Sequence, residues 1–173
     1  MKRFLFVAAL AFFSVAIGYN LVESRDERAI RRRLHEVALI CSKRTSQGLL
    51  GSMAIVGDLR PYFASNAMIR LGPPYPAELS PSEFASLVAR AHLDMEAIKV
   101  DIEGLEFLPR ESKGRIETLV ASSVRIQYSG KEEVYPGDYR VLWLKENGDW
   151  KILAVSPDAA IRLPRPMDTT TMQ

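Results

Sequence analysis

Two side chains in this sequence could act as a general base, and Glu106 is the first of them. Apolar Val100 and Ile102 alternate with acidic residues, as in a β-strand with one buried face. Unbroken alternation would bury Glu106, and burial raises the pKa of a carboxyl group and suits it to accept protons. However, the apolar positions change parity after Gly104, which indicates a β-bulge. The favoured interpretation is therefore that Glu106 faces water.

His92 is the second candidate base. It follows Val88 by four residues at the edge of the apolar stripe of a predicted helix. From that edge it could point into a pocket, although a boundary position is the favoured interpretation. His35 lies at the edge of another predicted helical stripe, beside Leu34, and is interpreted as a boundary or surface residue.

Hydroxyl groups mark one face of a long predicted strand. Thr118 and Ser122 interrupt its apolar positions, and Tyr128 ends the same face. These three are the candidate ligand-binding residues, although Thr118 and Ser122 could equally be satisfied inside a core. Tyr128, like Tyr62 and Tyr75, is also typical of a packing aromatic residue whose hydroxyl reaches water.

Several kinds of chemistry are not predicted. Cys41 is the one cysteine, which excludes an internal disulfide and a cysteine-based zinc site. It falls on an apolar helical stripe, as a small core residue would. The two histidines lack metal-ligand spacing, and no phosphate-binding loop or Ser-His-Asp order stands out. The sequence therefore predicts neither a metal nor a cofactor.

The charge distribution argues against nucleic-acid binding. The chain has 23 basic and 21 acidic residues, and the excess lies at Lys2 and Arg3. The rest of the chain is neutral, whereas a nucleic-acid module shows a basic excess. The arginines at 31–33 are typical of a solvated helix face.

An apolar segment at residues 4–22 follows that short basic start. It predicts either an uncleaved membrane anchor, nearly long enough to span a bilayer, or a signal peptide cleaved near Ala16. The anchor is favoured, in an inner membrane and with the domain in the periplasm or outside; the alternative is secretion after cleavage. Both interpretations place the remainder across a membrane.

Helical periodicity precedes strand periodicity in that remainder. Ser24 and Glu27 form a predicted capping box for the first helix, and Asn147-Gly148 predicts a tight hairpin turn. The predicted helices cover residues 24–43, 48–60 and 80–97. The predicted strands cover residues 67–71, 100–107, 116–128, 139–144 and 150–155. This order predicts an α+β fold with three helices on a strongly curved, mostly antiparallel sheet.

The chain resembles the nuclear transport factor 2-like superfamily, whose fold is a cone. The resemblance lies in the opening helix DERAIRRRLHEVALICSK, the segment LRPYFASNAMIRLG and the final hairpin YRVLWLKENGDWKILAVSP. It implies a domain at residues 24–160, after the N-terminal segment 1–23 and before a flexible tail at 161–173. It also implies a pocket inside the cone and possible pairing of two copies through the sheet. A single anchor before such a domain is similar to membrane-tethered members of the superfamily.

The preferred hypothesis is a non-catalytic, membrane-tethered envelope domain that binds a protein partner or an apolar small molecule. The first alternative is a small cofactor-free isomerase or dehydratase with Glu106 or His92 as base. The second alternative is an assembly subunit of an envelope machine. A homodimer through the sheet face is compatible with all three.

Overall fold

The computed structural model describes residues 24–43, 49–109 and 112–158, with only the backbone described at 49–53. The predicted apolar segment 1–23 and the predicted tail 161–173 lie outside the described residues. Within the described part, no helix is both long and apolar enough to cross a membrane.

Helix α1, Arg25–Cys41, begins at the predicted capping box. The Glu27 backbone amide donates to Ser24 Oγ at 3.2 Å, and the Ser24 amide donates to the Glu27 carboxylate at 3.1 Å. Ile30, Leu34 and Ala38 recur at helical spacing and are buried. The prediction for this helix is confirmed, because local capping and one apolar stripe act together.

Helix α2, Leu49–Leu59, continues into a short 3₁₀ helix at Arg60–Tyr62 and then into strand β1, Phe63–Ile69. The strand that was predicted at 67–71 starts earlier in the structure, at Phe63. Strand β1 pairs in parallel with the last strand, but its register shifts between Phe63 and Met68. This irregularity breaks the alternation of buried and exposed residues on which a strand prediction depends.

Helix α3, Pro81–Asp94, starts at a second capping box formed by Ser80 and Glu83. It ends three residues before the predicted boundary, because Met95 is extended and the next strand begins at Ala97.

The remaining strands are β2, Ala97–Phe107; β3, Arg115–Tyr128; β4, Lys131–Glu146; and β5, Asp149–Pro157. The sheet order is β1-β5-β4-β3-β2, with only the β1–β5 pair parallel in the described part. The α+β prediction of three helices and a curved, mostly antiparallel sheet is confirmed. The predicted bulge in β2 is also confirmed, since Ile102 pairs with Ser122 and Gly104 with Ala121.

Strand β4 is longer than predicted. Ser129 and Gly130 both have positive φ, 49° and 72°, so a two-residue turn joins β3 directly to Lys131. Strand β4 pairs with β5 only from Tyr139 onward. Pro136 therefore lies on a stretch that is paired with β3 alone. Proline is tolerated at such an edge.

The core lies between the helices and one face of the sheet, called here the core face. Trp143 is fully buried there, and so are Ile30 and Leu59 from the helices. Helix α1 is also attached to the β4–β5 hairpin by polar contacts. Asp26 accepts from Lys145 Nζ at 2.7 Å and from Trp150 Nε1 at 3.0 Å, and Arg33 pairs with Asp149 at 2.6 Å.

Gly57 and Gly148 allow the effect of backbone conformation to be tested apart from steric hindrance, because neither position is crowded. A Cβ at Gly57, inside α2, or at Gly148, at φ +89°, would meet nothing within 4 Å. We expect Gly57→Ala to stabilise the fold by about 0.5–1 kcal/mol, since alanine loses less entropy in a helix. Gly148→Ala should destabilise it by about 1–2 kcal/mol, since L-residues are strained at that φ. Urea unfolding checks both, and equal effects would contradict the argument.

Candidate functional site

Strands β3 and β4 pair without a register shift. The core face therefore continues along both strands past the buried core. Val141 pairs with Thr118 inside the core, and Glu133 pairs with Ile126 near the turn. Paired residues share one face, as do alternate residues of a strand. Tyr128, Glu133 and Tyr135 therefore lie on the core face at its open end.

Glu133 is the centre of this arrangement. The hydroxyl groups of Tyr128 and Tyr135 both donate to its carboxylate, one to each oxygen. These hydrogen bonds lower the pKa of Glu133. The same bonds are the largest cause of the raised pKa values of Tyr128 and Tyr135. Each shift follows because the bonds favour the ionised acid and the neutral phenol.

Tyr139 and Tyr75 complete the cluster, which we call the tyrosine rim: Tyr75, Tyr128, Glu133, Tyr135 and Tyr139. A Cβ built on Gly137 would lie 2.6 Å from Cε2 of Tyr139, so the Tyr139 ring crosses the strand over this glycine. Burial raises the pKa of Tyr139, and Tyr75 raises it further. Tyr75 comes from the loop before α3 and is 45% exposed, while Tyr135 is 51% exposed.

Thr118 and Ser122 serve the fold, although both lie on the core face as predicted. Thr118 is fully buried; it accepts from Trp143 Nε1 at 3.0 Å and donates to the Val141 carbonyl at 3.4 Å. Ser122 donates to the Gly137 carbonyl at 3.1 Å. Their hydroxyls are therefore already satisfied by the protein.

Glu106 is exposed, and it pairs with Leu119 on the face opposite the core. The expected exposure is confirmed, and its cause is the bulge at Glu103-Gly104, which reverses the parity of the following residues. Glu106 and the tyrosine rim consequently lie on opposite faces of the sheet.

His92 is buried rather than at a boundary, with 1% exposure, so the expected position is wrong. Its Nε2 lies 2.9 Å from the carbonyl oxygen of Cys41, to which it can donate. This contact joins the last turn of α3 to the end of α1, because a buried carbonyl at a helix end needs a donor. His35 is exposed, in agreement with its predicted surface position.

Cys41 packs against the core, and burial raises the pKa of its thiol to about 12. The thiolate, which is the nucleophile, is thus disfavoured. Among the described residues, no group of histidine, cysteine and acidic side chains could hold a metal ion.

A shallow depression of about 410 Å³ lies on the helical side of the domain. Two of its charged groups already have partners in the protein. Arg33 pairs with Asp149 and lies 5.6 Å from the centre of the Tyr62 ring, and Glu36 pairs with Arg32 at 3.9 Å. Burial, followed by the neighbouring Glu36, raises the pKa of Tyr62. The lining residues are Arg33, Glu36, Ile40, Gly57, Asp58, Pro61 and Tyr62.

Of the rim, sequence reasoning identified Tyr128 as a ligand-binding candidate and missed Glu133, Tyr135 and Tyr139. The signal was present in the Ser129-Gly130 dipeptide. A two-residue turn there fixes the pairing of every residue before it with one after it. Beginning the next predicted strand only at residue 139 concealed that pairing.

No family model matches the chain, and no curated protein matches it. Its structure is similar to that of a presumed scytalone dehydratase from Novosphingobium aromaticivorans, with a TM-score of 0.61 and 13% identity over 83% of this chain and 93% of that chain. A presumed aromatic ring hydroxylase from Novosphingobium aromaticivorans gives a TM-score of 0.60 and 10% identity, over 81% and 92% of the two chains. A presumed calcium/calmodulin-dependent protein kinase II association domain from Xanthomonas campestris gives 0.56 and 11%, over 81% and 91%. Such identities show the fold alone, which is the nuclear transport factor 2-like fold.

The structural role of Thr118 can be tested with a double-mutant cycle. Thr118→Val should destabilise the protein by about 1–3 kcal/mol, because it leaves the buried Trp143 N–H without an acceptor. In a Trp143→Phe background the same change should cost less, since no N–H remains to be satisfied. Urea unfolding of the four proteins measures the difference, and equal costs in both backgrounds would count against the role.

The Glu133 hydrogen bonds predict a measurable titration. Tyr128→Phe and Tyr135→Phe should each raise the pKa of Glu133 toward its ordinary value of 4.5, since each removes a donor. Because the folded-state pKa is lowered, ionised Glu133 stabilises the fold above pH 4.5, and this contribution is lost as the pH falls. Carboxyl carbon NMR follows the titration. Tyr139→Phe is the control, and an equal shift in that variant would argue against the assignment.

Proposed function

We propose that this protein is a non-catalytic binding domain, tethered to a membrane through residues 4–22, whose binding surface is the tyrosine rim. One observation carries the proposal. The enclosed part of the core face is filled by the protein's own side chains, such as Trp143, whereas the open end of the same face presents exposed tyrosines. Tyrosine combines a large apolar surface with a polar group, and it is enriched at interfaces for that reason.

The acid–base groups support binding over catalysis. Glu106 lies on the opposite face, and buried His92 is already bonded to Cys41. The acid of the rim, Glu133, has a lowered pKa, which makes it a weak base near neutral pH. Its two tyrosine donors have raised pKa values and are correspondingly weak acids. A general acid–base pair needs pKa values near the working pH.

The ligand in this proposal is a small molecule or a segment of a protein partner. The rim lies on the core side of the sheet, so pairing of two copies through the opposite face would leave it accessible. That opposite face carries an ion network in which Arg140 contacts Glu117 at 3.0 Å and Asp158 at 3.4 Å. Half-buried Leu142 and Leu144 lie on the same face.

An isomerase or dehydratase is the second candidate, and the similarity to a presumed scytalone dehydratase favours it. Such an enzyme would have to use Glu133 with Tyr128 or Tyr135, since Glu106 lies on the opposite face and His92 is buried and bonded to Cys41. It ranks lower because both tyrosine protons are already donated to the carboxylate.

The proposal predicts where the chain is found and what is isolated with it. The full-length chain, purified from membranes in detergent, should carry a bound small molecule or protein that mass spectrometry identifies. Tyr135→Ala should reduce that bound fraction at least about fivefold, since it removes an exposed ring of the rim. Leu93→Ala, an exposed apolar position on α3, is the control.

Two outcomes contradict separate parts of the proposal. Recovery of the chain in the soluble cytosolic fraction would refute the tether. Equal recovery of the bound species with Tyr135→Ala and with the wild type would refute the rim as the binding surface.

A further inference from the structure

Glu133 has no basic partner in the described part of the chain. Its carboxylate accepts from two tyrosine hydroxyls, and no lysine or arginine nitrogen among the described residues lies within 4.0 Å. Lys131, two residues earlier on the same face, makes no such contact. By contrast, the adjacent Glu132 lies on the other face and pairs with Arg125 at 3.5 Å. The rim therefore holds one uncompensated negative charge among aromatic rings.

The hydroxyl protons of the rim limit what can bind. A tyrosine hydroxyl has one proton to donate, and Tyr128 and Tyr135 both direct theirs to Glu133. Those two groups therefore cannot polarise a carbonyl or hold an anion. The two hydroxyl oxygens can still accept hydrogen bonds through their lone pairs, and Glu133 carries a negative charge. A bound anion would be repelled, and a purely apolar ligand would strip water from the carboxylate without compensation.

Aromatic rings around a carboxylate suit one chemical class. The face of a tyrosine ring attracts a cation, by about 0.5–2 kcal/mol depending on its exposure. A carboxylate adds Coulomb attraction, which strengthens as a ligand excludes water. An alkylated ammonium group satisfies both, because its methyl groups pack on rings while its charge faces Glu133.

We propose that the tyrosine rim binds an organic ammonium group, either of a free amine or of a lipid headgroup. This inference rests on the proposed function and specifies its ligand class. Tyr135 and Tyr75 supply exposed rings, Tyr139 closes the side over Gly137, and Glu133 supplies the charge.

Calorimetric titration of the full-length chain in detergent tests the charge requirement. The probes are choline and its neutral isostere 3,3-dimethylbutan-1-ol. We expect choline to bind at least about tenfold more tightly than the alcohol, a difference of about 1.4 kcal/mol. Glu133→Gln, which removes the charge and keeps one acceptor oxygen, should remove that preference. Glu132→Gln makes the same charge change on the other face and should leave choline affinity within about twofold, as expected of a distant exposed charge.

The source of the ammonium group is resolved by vesicles. Binding to phosphatidylcholine vesicles but not phosphatidylglycerol vesicles, competed by free choline, supports a lipid headgroup at the rim. Binding of free choline without vesicle binding supports a soluble amine. Equal binding of choline and the alcohol, unchanged by Glu133→Gln, would overturn the ammonium inference and leave the rim as a binding surface. Absence of choline binding would overturn it as well, while the Tyr135→Ala comparison from membranes judges the proposed function separately.

Discussion

The pairing of β3 with β4 determines where four of the five rim residues lie. It runs without a shift from Arg115 opposite Leu144 to Tyr128 opposite Lys131. Because side chains alternate between faces, this one register places Thr118 in the core and Glu133 in the rim on the same face. A slip by one residue would expose Trp143 and send Glu133 to the opposite side. The β3–β4 hairpin thus contributes both to the filled core and to the open tyrosine cluster.

Local signals explain which elements were predictable. The capping box at Ser24, the turn at Asn147-Gly148 and the parity change at Gly104 each act over a few residues, and each was found in the sequence. The α+β order followed from the change of apolar periodicity, and the resemblance to the nuclear transport factor 2-like fold came from three segments of the sequence. Strand β1 was misplaced because its partner β5 is distant in sequence and its register is irregular.

The candidate site was less predictable than the fold, for a physical reason. Whether Thr118 is a ligand group or a structural one depends on Trp143, which lies 25 residues later and donates to it. The position of His92 likewise depends on the carbonyl of Cys41 at the end of another helix. Glu133 gains its importance only from Tyr128 and Tyr135. Such roles are set by tertiary partners that a periodic pattern does not identify.

The polar contacts of α1 have a mechanical consequence. Asp26 and Arg33, in the first half of this helix, contact Trp150, Lys145 and Asp149 on the β4–β5 hairpin. If residues 4–22 lie in a bilayer, as proposed, a pull on the domain would enter at the start of α1 and pass into the hairpin through these contacts. The load would be shared by two ion pairs and the Trp150 hydrogen bond before it reached the apolar interior.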